Sequence, residues 1–277
     1  MRIVDAQVHI WGANTPDRPW PPTPVEPHRP VPFSKDDLLR EMNAAGVHRA
    51  VIVPPMWEGD RNDLALEAAR LHPDRFAVMG RIDMLAPASR GLLATWRRHG
   101  MLGLRLVFKR TPFRTTLAEG HADWLWAEAQ AAGVPIMVLI DSAQTHFIDQ
   151  VAERHPGLKL ALDHLCLTTG AKDETAFADL DKLLALAKRP NIAVKATSLT
   201  NFTNDSYPYR RLHPHLRRVY DAFGPQRVFW GSDITHLPCP YRQAVTMMTE
   251  EIPWLTGNDK EWIMGRGVCE WSGWNLP

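Results

Sequence analysis

Short apolar, β-branched runs recur along the chain at fairly even intervals, and each is entered through a glycine or a proline. Eight such runs stand out: Arg2–Trp11, Arg49–Pro54, Arg75–Asp83, Gly100–Phe108, Val134–Asp141, Leu158–Leu167, Asn191–Ser198 and Arg227–Asp233. Gly46, Pro73, Gly100, Gly133, Pro156, Pro190 and Gly224 precede the later seven. Glycine accepts the left-handed turn that ends a helix, and proline cannot continue one. Between the runs lie amphipathic stretches, 34–45, 62–71, 88–98, 122–132, 145–154, 176–187 and 215–223. The first begins at Ser34, a helix-capping residue, with Asp36 and Asp37 in the opening turn. Strands alternating with helices imply parallel pairing through right-handed crossovers. Eight units predict a closed (β/α)8 TIM barrel with a single domain over residues 1–277, because an open doubly wound sheet calls for a glycine-rich phosphate turn that the first run lacks.

One connector breaks the rhythm. The segment Gly12–Phe33 carries eight prolines and should be stiff and extended, lying over the catalytic face or wrapping the surface as a subunit contact. The tail from Ile263 to Pro277 has no strand pattern and is expected to close over the barrel edge.

Polar residues inside such strands carry the chemical information, since barrel strands end in catalytic groups at their C-terminal side. In the first run Asp5, Gln7 and His9 fall on one face by period two, and burying all three unpaired would be costly. The sixth ends Leu162-Asp163-His164-Leu165 and the eighth Trp230-Gly231-Ser232-Asp233, where the glycine lets backbones approach. A closed barrel brings His9, His164 and Asp233 together as a catalytic set. Two imidazoles and a carboxylate are also a three-ligand set for a catalytic divalent metal with a position left for water. Arg81, Arg105 and Lys195 are cations within strands; they either bind an anionic substrate, with His236 at the mouth, or form internal pairs such as Arg81 with Asp83 and Lys195 with Asp233. Asp141 reads as a helix cap. His72 and His155 mark His-Pro helix exits, and His213 and His215 read as solvated surface.

Composition narrows the classes. A chain of 277 residues with 45% hydrophobic and 23% charged residues can bury a barrel-sized core. The net charge of +1 shows no nucleic-acid stripe, and no apolar run reaches the roughly 20 residues that span a bilayer. Cys166, Cys239 and Cys269 form no framework, which favours a reducing, cytoplasmic setting. The expected partner is a small anionic molecule, and a homo-oligomer stays open.

The segments Val4–Trp11, Leu162–Leu165 and Phe229–Asp233 together resemble the amidohydrolase superfamily, and within it the lactonase-type hydrolases of pyrone-dicarboxylates and sugar lactones. The resemblance covers nearly the whole chain. It implies hydrolysis of a lactone or similar ester, with Asp233 as general base and His9 and His164 at the reacting centre. The same superfold hosts metal-dependent decarboxylases of unsaturated or aromatic acids, and a degenerate ligand-binding barrel is the third reading. Where the family carries a His-x-His pair, this chain has Gln7 and His9. An amide oxygen binds zinc more weakly than imidazole, so the implied cofactor is one divalent metal such as zinc, or none.

Overall fold

The computed structural model describes residues 1–23, 25–110 and 113–275. Eight strands form one sheet: β1 Val4–Val8, β2 Arg49–Ile52, β3 Phe76–Gly80, β4 Gly103–Val107, β5 Ile136–Leu139, β6 Leu160–Leu162, β7 Ile192–Thr197 and β8 Val228–Gly231. They neighbour one another in chain order, every pair parallel. The barrel nearly closes where β8 meets β1. There the Asp233 amide donates to the Gln7 carbonyl and the Ser232 amide donates to the Asp5 carboxylate, each at 2.9 Å.

The helices are α1 Lys35–Ala45, α2 Asp63–Leu71, α3 Asp123–Ala132, α4 Thr145–Arg154, α5 Asp173–Phe177, α6 Leu180–Leu184, α7 His213–Phe223, α8 Tyr241–Thr249, α9 Gly257–Glu261 and α10 Gly267–Ser272. Ser34 caps α1 in a reciprocal box with Asp37, and Gly46 ends it at φ 78°. Leu38, Trp126, Ile148, Val219 and Trp230 pack between helices and strands, while Val51, Ala77, Met79, Met137, Ala161, Ala193 and Phe229 fill the barrel interior. No helix among the described residues is long and apolar enough to cross a membrane.

The structure departs from the sequence pattern in several places. Residues 88–98 fold as short 3-10 turns, Leu92–Thr95 and Arg97–His99, rather than as one helix. The 176–187 stretch divides into the end of α5, α6 and a 3-10 turn. α8, with six of its nine residues buried, lies outside the amphipathic stretches expected from the sequence. His215 is buried, its ring stacked on Phe177 at 4.0 Å, and is not solvated surface.

Among the described residues of the segment 12–33, which leave out Pro24, there is no helix or strand, and the isolated bridges are Trp11–Phe33 and Thr15–Arg18. At the other end of the chain, Val268 and Cys269 of α10 pack with Val4 and Phe229. Arg49 donates to the Asn275 carbonyl at 2.8 Å and lies over the Trp274 ring at 3.9 Å. The tail thus covers the end of the barrel where the strands begin. Leu276 and Pro277 lie outside the described residues.

Candidate active site

At the opposite end, where the strands finish, a cavity of about 520 Å³ opens. His9, Arg105, His164, Asp233 and His236 line it. Asp233 follows β8 and stands at φ 56°; His164 and Ser198, at the exits of β6 and β7, stand at 51° and 58°. Left-handed backbone costs a non-glycine residue roughly 1–2 kcal/mol, and such strain gathers where a side chain must be aimed.

The carboxylate of Asp233 sits between two imidazoles. Its Oδ1 is 3.3 Å from Nε2 of His9, and its Oδ2 is 4.0 Å from Nε2 of His164. Each ring is anchored through its other nitrogen: His9 Nδ1 lies 2.6 Å from the Val53 carbonyl, and His164 Nδ1 lies 2.8 Å from the Thr197 hydroxyl. A carbonyl only accepts, so His9 carries its proton on Nδ1 and presents a lone pair at Nε2. Burial, the largest influence, lowers both histidines to about 4, so they are neutral near pH 7. Burial, the largest influence, pushes the Asp233 carboxyl up, positive charge on His9, His164, His28 and His236 pulls it down, and the net direction is downward.

Beneath these groups is a buried polar network. Lys195, wholly buried on β7, lies 2.9 Å from Asp163 Oδ1 and donates to Gln7 Oε1. Arg105 Nε reaches Asp163 Oδ2 at 3.2 Å. Burial favours the neutral acid, yet Lys195 and Arg105 outweigh it and hold Asp163 well below the usual carboxylate range. With its oxygen taken by Lys195, the Gln7 amide points its NH2 at His9 Nε2, 3.2 Å away. Gln7 is therefore a hydrogen-bond donor to His9.

Asp5 parts from this group. A register shift separates Asp5 from Val8 along β1, and the Asp5 carboxylate turns to α8, where Tyr241 donates to it at 2.5 Å. The single face expected for Asp5, Gln7 and His9 holds for the last two only. Arg81 and Lys195 do not line the cavity: Arg81 donates to the Gly59 carbonyl at 3.0 Å and faces Asp60 at 3.6 Å, so the pairs formed are Arg81 with Asp60 and Lys195 with Asp163. Asp141 pairs with the Lys109 ammonium at 3.0 Å and caps the turn Ser142–Gln144 before α4, its amide donating to the Gln144 side chain.

Several lining residues went unread in the sequence. His28, from the proline-rich segment, approaches His9 with ring centroids 5.4 Å apart, and its Nδ1 meets the Thr235 hydroxyl at 3.0 Å. Lys109, Arg110 and Lys172 border the opening. Lys109 and Arg110 directly follow the fourth apolar run, which was the available signal; His28 lies in a segment without periodicity.

A divalent metal, which this fold admits, can be tested against the side chains. Asp233 Oδ1 is buried without a hydrogen-bond partner among the described residues, and donor atoms of His9, His28 and Asp233 all lie within 4.8 Å of one another. The 3.3 Å between His9 Nε2 and Asp233 Oδ1 matches the edge of a tetrahedron with arms of about 2.0–2.1 Å. The residues present fit such an ion.

An eight-stranded parallel barrel with imidazoles and an aspartate at its strand exits defines an amidohydrolase-type barrel enzyme. A profile of the amidohydrolase family matches residues 4–266, and the chain belongs to that family. It is 26% identical over 245 residues to an L-fucono-1,5-lactonase of Burkholderia ambifaria, covering 83% of this chain and 79% of that one. A 4-sulfomuconolactone hydrolase of Hydrogenophaga intermedia is 25% identical over 240 residues, with 84% and 74% covered. An amidohydrolase of Burkholderia multivorans, crystallised with bound zinc, superposes over all of both chains with a TM-score of 0.82 at 22% identity, a likeness of fold.

Proposed function

We propose that the protein hydrolyses a lactone, or a comparably activated ester, in a small carboxylated molecule. The observation that carries this reading is Asp233, an ionised carboxylate at the floor of the cavity with an imidazole facing each oxygen. Asp233 takes a proton from water as the water oxygen bonds to the ring carbonyl carbon. His164 is placed to steady the oxyanion of the tetrahedral adduct. When the ring C–O bond breaks, Asp233 returns its proton to the leaving alkoxide. A divalent metal on His9, Asp233 and a further imidazole would supply a Lewis acid and a more acidic bound water.

Charge supports the anionic substrate. Arg105, Lys109, Arg110 and Lys172 line the cavity against the acids Glu26 and Asp233. Of the strand cations, Arg105 is assigned to the substrate together with His236, while Arg81 and Lys195 support the site from behind. The names of the two relatives, both hydrolases of lactones, support the reaction class. Three unpaired cysteines support a reducing, cytoplasmic setting.

The test is a panel of sugar lactones and carboxylated lactones followed by acid release. Asp233→Asn should lower kcat on any hydrolysed lactone by roughly 10²-fold or more. Full activity in that variant would sink the assignment of the base.

A further inference from the structure

We propose that His28, carried by the proline-rich segment 12–33, completes with His9 and Asp233 a site for one divalent cation, supplying from a loop the imidazole that strand position 7 lacks. The inference deepens the hydrolase reading and shares its cavity, but it is judged by cation uptake alone.

Three observations lead to it. The first is a mismatch of like groups. His9 Nδ1 must donate to the Val53 carbonyl, so Nε2 shows a lone pair, and it does so 3.3 Å from Asp233 Oδ1, a buried oxygen with no hydrogen-bond partner among the described residues. A lone pair and an anionic oxygen held that close repel unless a positive centre joins them. A proton on Nε2 would serve, but Gln7 already points its NH2 at that nitrogen, and the amide cannot turn because Lys195 holds its oxygen. Protonating His9 would set donor against donor. A cation accepting both the nitrogen and the oxygen removes the conflict.

The second observation is the third ligand. Gln7 cannot offer its oxygen, which points to Lys195. His28 stands in reach, with a donor atom within 4.8 Å of those of His9 and Asp233. The Thr235 hydroxyl lies 3.0 Å from its Nδ1 and fixes the ring, as outer-shell partners of metal-binding histidines do. His164 faces the other carboxylate oxygen and is pinned by Thr197, so it stays on the substrate side.

The third observation is that the segment is built to hold His28 still. Its ends join where the Trp11 amide donates to the Phe33 carbonyl at 2.9 Å. Arg18 ties it to α2 through paired bonds of 2.5 and 2.9 Å to Asp63, and to Glu58 at 2.9 Å. Beside His28, Arg29 donates to the Ile234 carbonyl at 3.3 Å, and the His28 ring packs on Trp57 at 4.9 Å. Prolines stiffen the rest, so little order has to be created when an ion binds. Two imidazoles and one carboxylate suit zinc, cobalt(II) or manganese(II), with positions left for water.

The experiment uses full-length protein treated with chelator. Zinc titration by calorimetry should give one site, and pulsed electron paramagnetic resonance of the copper(II) form should count two imidazoles. His28→Ala should weaken zinc by more than about tenfold, the lower end for loss of a mere outer-shell partner, and reduce the count to one. His28→Gln, which keeps the side chain's bulk, should do the same and guards against a loop that has simply come loose. His164→Ala should leave both readings in place. Absence of zinc uptake by the wild type, or two imidazoles persisting in both His28 variants, overturns the site. Lactone turnover, measured separately, judges the hydrolase reading on its own.

Discussion

The hydroxyl of Thr197 lies 2.8 Å from Nδ1 of His164, so the last residue of β7 fixes the ring that the exit of β6 supplies. The same oxygen accepts from the His164 amide at 3.3 Å, which braces the left-handed turn there. Thr197→Val keeps the shape and removes both bonds. The fold should survive, while kcat on a lactone substrate falls roughly 10–100-fold, as for other groups that orient a reacting imidazole. KM should move far less, because the threonine does not line the cavity. A matched rise in KM with kcat unchanged would place His164 in binding instead.

Lys195 and Asp163 form a pair with neither side chain exposed, 2.9 Å apart. Removing one member of a buried pair strands the other, at a cost of about 3–5 kcal/mol. Lys195→Met should lower stability to urea by that order and also release the Gln7 oxygen. The double variant Lys195→Met with Asp163→Asn should lose less than the two single losses added together, since neither member of the pair is left facing a missing partner, and only Arg105, which loses its carboxylate in both Asp163 variants, stays uncompensated. Additive losses would mean that the pair does not act as a unit.

Both findings bear on what a linear chain can reveal. His9, His164 and Asp233 were legible because a charged or polar residue at the end of an apolar run has few structural excuses, and parallel order then brings the run ends together. Lys195 announced that it needed a partner, but not which one. The choice of Asp163 over Asp233 depends on which interior level each residue reaches, and that is set by strand stagger. Asp5 misled because period two presumes regular pairing, and the irregularity along β1 turned it toward Tyr241. His28 gave no signal, since a loop without hydrogen-bonded repeats has no period from which to infer direction. The proline count forecast stiffness and nothing about aim.

Asp5 offers a test through pH. Burial is the chief cause that raises its carboxyl to about 6 from 3.8, and bonds from Ser232, Tyr241 and Gln7 only partly oppose it. A group whose folded value is raised stabilises the native state fully below its unfolded value, and that contribution is lost as pH rises through about 6. Asp5→Asn cannot ionise and should keep its contribution throughout. Relative to wild type, the variant should therefore gain about 3 kcal/mol between pH 3.5 and pH 7. Comparing urea midpoints of the two proteins across that range cancels every other titrating group. A constant difference would show that Asp5 does not titrate there.

Gly231 stands at the seam that closes the barrel, two residues before Asp233. A Cβ at this position would come within 2.6 Å of Thr197 Cγ2, 2.9 Å of the Asp5 carboxylate and 2.9 Å of the Gln7 amide nitrogen. Two of those three neighbours are held by backbone bonds or buried pairs and cannot swing aside, so Gly231→Ala must push β8 away from β1. Asp233 bonds across the same seam through its amide, at 2.9 Å to the Gln7 carbonyl, and will be carried with the strand. A shift of the base by about 1 Å is enough to cost on the order of 10²-fold in rate. Gly231→Ala should therefore lose activity by at least that factor, with a melting temperature lower than that of wild type. Gly257→Ala, where an added methyl meets nothing within 4 Å, is the matched control and should retain both. If Gly231→Ala kept full turnover, the geometry of the seam would not be what positions Asp233, and the left-handed turn at Asp233 itself would have to carry that role alone.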